Sequence, residues 1–160
     1  MMFGGSRPDM SQHFHEPQVA FKEFDWMVRM ANTSFGTRPE PQLRILVVDD
    51  HADTRDGYAT YFRASGLTAF TAGSGHEARQ QIESCAPDVV VLDVTLSDMS
   101  GLDLLAEMKQ QRATSDIPVL LVSGHRFEQR PTGAANVLLK PLLPDQLLQH
   151  VRQAAGSGRT

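Results

Sequence analysis

The chain reads as an α/β protein, a doubly wound parallel sheet of five strands with helices on both faces. Three observations carry this. Five short runs, 43–48, 67–71, 88–93, 117–122 and 136–139, are apolar and mostly rich in Val and Leu, as in strands buried on both faces. Stretches with helical spacing alternate with them, which specifies parallel strands joined by right-handed crossovers. Charged residues close three of the runs: Asp49 and Asp50 follow the first, Asp93 ends the third and Lys140 follows the fifth. In a parallel sheet the carboxyl ends share one edge, where ligands bind, so these groups are expected to converge.

The helices follow from their ends and their faces. The stretch 53–65 opens on Asp53, a good N-cap, and stops before Gly66. The stretch 75–85 follows Ser74, with Glu77 three residues later as a capping-box partner. In 101–112, Leu102, Leu105, Ala106 and Met108 fall largely on one side. The stretch 144–155 opens on Pro144, where a missing N–H costs nothing, and turns Leu147, Leu148, Val151 and Ala155 toward a core.

Composition bounds the class. A chain of 160 residues, 41% hydrophobic and 21% charged, is long enough for one domain with a real core. A net charge of −4 supplies no electrostatic reason to expect nucleic acid or an anionic membrane as partner. The lone Cys85 excludes an internal disulfide and reads as a small buried apolar residue. No apolar stretch is long enough to span a bilayer and no signal peptide is evident, so a cytoplasmic location is expected. Residues 1–42 form an extension. Its segment 1–17, rich in Gly, Pro, Ser and His, has the composition of a disordered tail, and His13 and His15 lack further zinc ligands. Segment 18–31 reads as a helix with Ala20, Phe24, Met27, Val28 and Ala31 on one face and Val19, Trp26 and Met30 on a second stripe. Segment 32–42, with Pro39 and Pro41, reads as a linker. Residues 43–155 are the domain proper and 156–160 a short tail.

The converging residues suggest a chemistry. Packed carboxylates repel, and they favour a raised pKa or a bound cation. Hard oxygen ligands suit Mg²⁺, which takes one or two protein carboxylates and keeps waters or phosphate oxygens. A carboxylate can itself attack a phosphoryl group, with Mg²⁺ and an ammonium offsetting the charge on the transferring oxygens. The pattern suits formation of an aspartyl phosphate.

Leu46-Val47-Val48-Asp49-Asp50, Val91-Leu92-Asp93, Val122-Ser123-Gly124 and Lys140-Pro141, in that order and each after its own strand, resemble the signature of bacterial response-regulator receiver domains. The resemblance covers about 43–155, including the loop from Asp93 to Gly101. It implies the flavodoxin-like strand order 2-1-3-4-5. It also implies Asp93 as phosphoacceptor, Asp49 and Asp50 as metal-binding acids beside Asp93, and the Thr95 backbone carbonyl as a further Mg²⁺ ligand. Ser123 matches the hydroxyl that turns toward the phosphoryl group, Lys140 the lysine that pairs with it, and Pro141 the residue that often makes a cis bond.

Three departures stand out. Val137, three before Lys140, replaces a usual aromatic, so the coupled rotation of hydroxyl and aromatic cannot take its usual form unless another ring such as Phe127 substitutes. The segment between Ser123 and Val137 is shorter than usual and interrupted by Pro131 and Gly133, so the fourth helix is expected to be very short or absent, with an altered output surface. Ser97 stands where Pro is frequent, which predicts a looser loop after Asp93. Thr95 and His125 lie where the family tunes phosphoryl lifetime, although His125 also reads as an exposed loop residue. His51 follows the acid pair and reads as a solvated loop residue that would act on the pair only if it lay close.

The resemblance implies a response regulator that accepts a phosphoryl group from a sensor histidine kinase or phosphotransfer protein and acts on a downstream protein target, and with only Gly156 to Thr160 after the domain a stand-alone regulator is expected. Segment 18–31 is expected to dock on its own receiver, to pair two copies or to bind a partner, since its apolar arc is too wide to stand in water. Two alternatives are a degenerate receiver that only binds partners and a phosphatase of the haloacid-dehalogenase type. The latter lacks its second Asp, since Thr95 occupies that position. Neither end carries a helix-turn-helix pattern or a basic stripe, so DNA is not an expected partner.

Overall fold

The computed structural model describes residues 41–157. The expectations for 1–17, for helix 18–31 and for most of linker 32–42 lie outside these residues. Within them the elements run β1 (Arg44–Val48), α1 (Ala52–Ala64), β2 (Thr68–Ala72), α2 (Gly75–Cys85), β3 (Val89–Asp93), α3 (Gly101–Gln110), β4 (Val119–Ser123), β5 (Asn136–Leu139) and α4 (Pro144–Ser157). All strand pairs are parallel and the order is β2-β1-β3-β4-β5. Element ends fall within two residues of those read from sequence, α4 running two residues beyond 155.

Alternation along the strands splits the core into two layers. Ile45 and Val47 of β1 and Val89 and Val91 of β3 face Tyr58, Ala59 and Phe62 of α1 and Leu147, Leu148 and Val151 of α4. Leu46, Val48, Val90 and Leu92 point the other way, against Ala78 and Ile82 of α2 and Leu104, Leu105 and Met108 of α3. The buried runs are apolar throughout because both faces are covered.

Helix starts are set by capping, with one correction to the sequence reading. Ser74 caps α2 by accepting the Glu77 N–H at 3.1 Å, and Glu77 in turn accepts the Gly73 N–H at 2.7 Å. The first helix is not capped by Asp53. It begins one residue earlier, with His51 at the N-cap position and no side-chain cap. The physical reason is that Asp49 turns the chain itself, its carboxylate accepting the His51 N–H at 2.8 Å. Asp53 sits instead in the first turn, where a negative charge complements the helix dipole.

No helix forms between β4 and β5: residues 124–135 run as bends and turns. Part of the face a helix would cover is closed by this loop. Gly133, at φ +88°, lies so close to the Lys109 side chain that a Cβ there would meet Lys109 Cγ at 2.7 Å. Lys109 is itself anchored, donating to the carbonyls of Ser115 at 2.8 Å and Ile117 at 2.7 Å. Burial pushes its pKa down, with Asp116 opposing in part. Arg130 folds back onto the Ala135 carbonyl and the Asn136 side chain. What stays open is a cleft of about 400 Å³ lined by His125, Arg126, Phe127, Arg130, Asn136, Val137 and Leu139.

Two glycines on helices have opposite requirements. Gly57, mid-helix in α1, leaves open space where a Cβ would stand, with nothing within 4 Å, whereas a Cβ on Gly101 would overlap the Asp93 carbonyl oxygen. Gly57→Ala is expected to raise stability by about 0.5–1 kcal/mol. Gly101→Ala is expected to lower it by about 1–3 kcal/mol, because backbone must move. Urea unfolding midpoints check both signs.

Candidate functional site

The carboxyl ends of β1, β3 and β5 bring the sequence-singled residues together. Asp49 and Asp93 are buried, 4% and 5% exposed. Both meet the Lys140 ammonium: Nζ lies 2.8 Å from Asp93 Oδ2 and 3.3 Å from Asp49 Oδ2. β1 and β3 are neighbours at the point where strand order reverses, so their terminal carboxylates are forced close. β5 is two strands from β3, about 10 Å at ordinary strand spacing, a gap that a long Lys side chain can bridge and a short one cannot. Burial acts to lower the Lys140 pKa, but the hydrogen bond to Asp93 and the charges of Asp49 and Asp93 outweigh it, and the ammonium is held above its ordinary value. The Lys140–Pro141 peptide is cis, as the resemblance implied.

Asp50 is placed differently. Its Oδ1 is buried and has no hydrogen-bond partner. His51 Nδ1 lies 3.0 Å from that oxygen, without hydrogen-bond alignment, and 3.4 Å from Asp49 Oδ1. The imidazole is solvated, as expected from sequence, yet it also lies against the acid pair. One ligand atom from each of Asp49, Asp50, His51 and Asp93 falls within 4.8 Å of the others. An unsatisfied buried carboxylate oxygen beside two further carboxylates is the donor set a divalent cation fits.

Ser123 and Thr95 flank Asp93. The Thr95 N–H donates to Asp93 Oδ1 at 3.0 Å. The Ser123 hydroxyl donates to the His125 carbonyl at 2.8 Å and accepts the His125 N–H at 3.0 Å. In this arrangement the hydroxyl is spent on its own loop, and the His125 side chain is exposed.

Other contacts had no sequence signal. Asp98 accepts the N–H groups of Gly75 at 2.8 Å and His76 at 3.0 Å, tying the loop after Asp93 to the start of α2. Those two bonds hold its carboxyl below the ordinary range. With the Thr95–Ser100 bridge, the Gly101 N–H to Val94 carbonyl bond at 2.7 Å and buried Leu96, they correct the expectation of a loose loop. Ser97 removes a proline, but the loop is fixed through its neighbours. The Tyr58 hydroxyl donates to the Leu142 carbonyl at 2.8 Å, anchoring the turn after Lys140. Burial pushes that phenol up, with Lys140 lowering and Asp49 raising it. The partners of Asp98 and Tyr58 are 22 to 84 residues away in sequence, so no local spacing could reveal them.

A five-stranded flavodoxin-like sheet with acids at the ends of β1 and β3 and a lysine after β5 defines a class of signalling module. Residues 45–152 match the response regulator receiver domain family, and the chain belongs to it. Nodulation protein W of Bradyrhizobium diazoefficiens is 32% identical over 144 residues, covering 85% of this chain and 60% of that protein. The sensory transduction protein RegX3 of Mycolicibacterium smegmatis is 31% identical over 71% of this chain and 51% of its own length. The chain thus spans about half to three-fifths of the curated relatives it matches. Among solved structures, NtrX from Brucella abortus is 32% identical, with a TM-score of 0.67 over 74% of this chain and 28% of that one. A CheY-like receiver domain protein from Methanospirillum hungatei, 24% identical, shares the fold with a TM-score of 0.67 over 73% of this chain and 96% of its own. Receiver domains are signalling modules, not enzymes apart from their own phosphorylation and dephosphorylation, so the phosphatase alternative falls. Among the described residues no helix is long and apolar enough to cross a membrane.

Because the folded Lys140 pKa lies above the ordinary 10.5, its contribution to stability is fully present below that value and is lost as pH rises through the folded pKa. The stability lead of wild type over Lys140→Met in metal-free buffer is therefore expected to hold steady from neutral pH toward 10.5 and shrink above it. Chemical denaturation across pH checks this; a lead that grows with alkalinity contradicts it.

Proposed function

We propose that this chain accepts a phosphoryl group on Asp93 from a sensor histidine kinase or phosphotransfer protein and reports it by protein–protein contact. The observation that carries the reading is the pairing of buried Asp93 with Lys140 beside the unsatisfied Asp50 oxygen. In the proposed step an Asp93 carboxylate oxygen attacks the phosphorus of a phosphorylated imidazole. The P–O bond forms, the P–N bond breaks, and its electron pair stays on the departing nitrogen. Asp49, Asp50 and Asp93, with the Thr95 carbonyl, would hold Mg²⁺, which when bound offsets charge on the transferring oxygens. Lys140 keeps the nucleophile oriented before transfer and then pairs with the phosphoryl oxygens. The Ser123 hydroxyl, now on the His125 carbonyl, is the donor free to change partner when those oxygens arrive.

Partner contact is assigned to the β5 side, where the cleft and the exposed Leu139 and Leu143 lie. On the same reading the cell compartment is the cytoplasm, where kinase domains meet their receivers, and segment 18–31, from its sequence, pairs two copies. Loss of residues 1–42 is then expected to turn a particle of two copies into one of a single copy by light scattering, and an unchanged number of copies counts against pairing.

Incubation with a small phosphodonor and Mg²⁺, followed by intact mass, tests the chemistry. One added phosphoryl group in wild type and none in Asp93→Asn is expected. Failure of the wild type to label with several donors favours the degenerate receiver.

A further inference from the structure

We propose that His51 is a nitrogen ligand of the cation site and shifts its preference from Mg²⁺ toward first-row transition ions. This rests on the receiver reading of the acid cluster and concerns the one residue at that cluster to which the reading gives no role. His51 Nδ1 lies 3.0 Å from Asp50 Oδ1 and 3.4 Å from Asp49 Oδ1, and its ring is 75% exposed, so no packing holds it elsewhere. Asp50 Oδ1 is buried with no hydrogen-bond partner, which marks the spot where a cation would satisfy it. Ligand atoms of Asp49, Asp50, His51 and Asp93 lie within 4.8 Å of one another. Ligands on opposite sides of a small divalent ion stand about 4.2 Å apart, so the four need contract only slightly to share one.

The donor types decide the selectivity. Carboxylate and carbonyl oxygens suit Mg²⁺, which seldom takes nitrogen. Imidazole suits the first-row transition ions, whose affinity for mixed nitrogen and oxygen sites rises along the series from Mn²⁺ through Co²⁺ and Ni²⁺. Losing the imidazole must therefore cost a transition ion far more than it costs Mg²⁺. A His51 that merely lent charge to the acid pair or ended the β1–α1 turn would move both ions together.

The untagged full chain is titrated with Co²⁺, followed by its visible absorption, and Mg²⁺ affinity is read from displacement of that signal. Only the Mg²⁺-displaceable part is counted, which removes Co²⁺ held by the other histidines. His51→Ala is expected to weaken Co²⁺ binding about tenfold and Mg²⁺ binding by less than about twofold, with a shifted absorption band. Asp50→Asn is expected to weaken both. His51→Gln, which keeps side-chain bulk, is expected to behave like His51→Ala. An unchanged ratio of Co²⁺ to Mg²⁺ affinity in the two His51 variants overturns the proposal while leaving the receiver reading intact. A wild type that binds neither ion displaceably removes the Mg²⁺ part of that reading and this inference together, whereas failure of Asp93 to label with ion binding normal strikes only the phosphotransfer reading.

Discussion

The Lys140 ammonium between Asp93 and Asp49 is the interaction on which this architecture turns. Strand order sets β1 beside β3, and each ends in a carboxylate that the surrounding layers bury. Two such groups side by side, with no cation, would each lose hydration and repel the other, and breaking a buried pair of this kind typically costs about 3–5 kcal/mol. Lys140 satisfies both from a strand two positions from β3 and three from β1, so the ion pair also ties β5 to the centre of the sheet. Several other contacts serve to keep the three strand ends in place. Tyr58 fixes the turn after Lys140 through the Leu142 carbonyl, and Arg55 donates to the Asp49 carbonyl. Gly101 lets α3 approach the Asp93 backbone more closely than any side chain would permit.

The same dependence explains which features could be read from sequence. Strands buried on both faces must be apolar at every position, so β1, β3 and β4 were legible as continuous runs. The Ser74–Glu77 pair was legible because capping acts over three residues. The site was legible because the residues at successive strand ends are brought together by topology alone. Asp53 misled because it has the right chemistry for a cap, while the competing turn is made by Asp49, four residues earlier and inside the site. Asp98 and Tyr58 were silent because each bonds a backbone group far along the chain, and nothing in a side chain's identity records which distant backbone it will meet.

The absent helix was readable from the short spacing and from Pro131 and Gly133, but what fills its place was not. Gly133 reaches φ +88° and lays the loop on Lys109, whose ammonium is tied to the carbonyls before β4. A glycine in the left-handed region lying against a half-buried lysine stem does locally what a helix face would do with apolar side chains. The cover is partial, and Val137, smaller than an aromatic ring, leaves the remaining cleft open with Phe127 on its wall.

That geometry shortens the route from chemistry to surface. In a receiver with an aromatic at the Val137 position, a ring would carry the change outward. Here the Ser123 hydroxyl is held by both backbone groups of His125, and His125 itself lines the cleft. If a phosphoryl group on Asp93 draws the hydroxyl away, the His125 carbonyl and amide lose their partner together. A backbone group left unpaired costs on the order of 1–3 kcal/mol where water cannot reach it, and the part-buried His125 groups escape that cost through a shift that brings them to water or new partners. A one-residue backbone rearrangement is then enough to alter the cleft wall, with Arg126 and Phe127 next in the chain, and no rotating aromatic is needed. On the proposed reading, reaction centre and output surface are joined by a peptide rather than by a packed side chain, which is the consequence of a short β4–β5 connection.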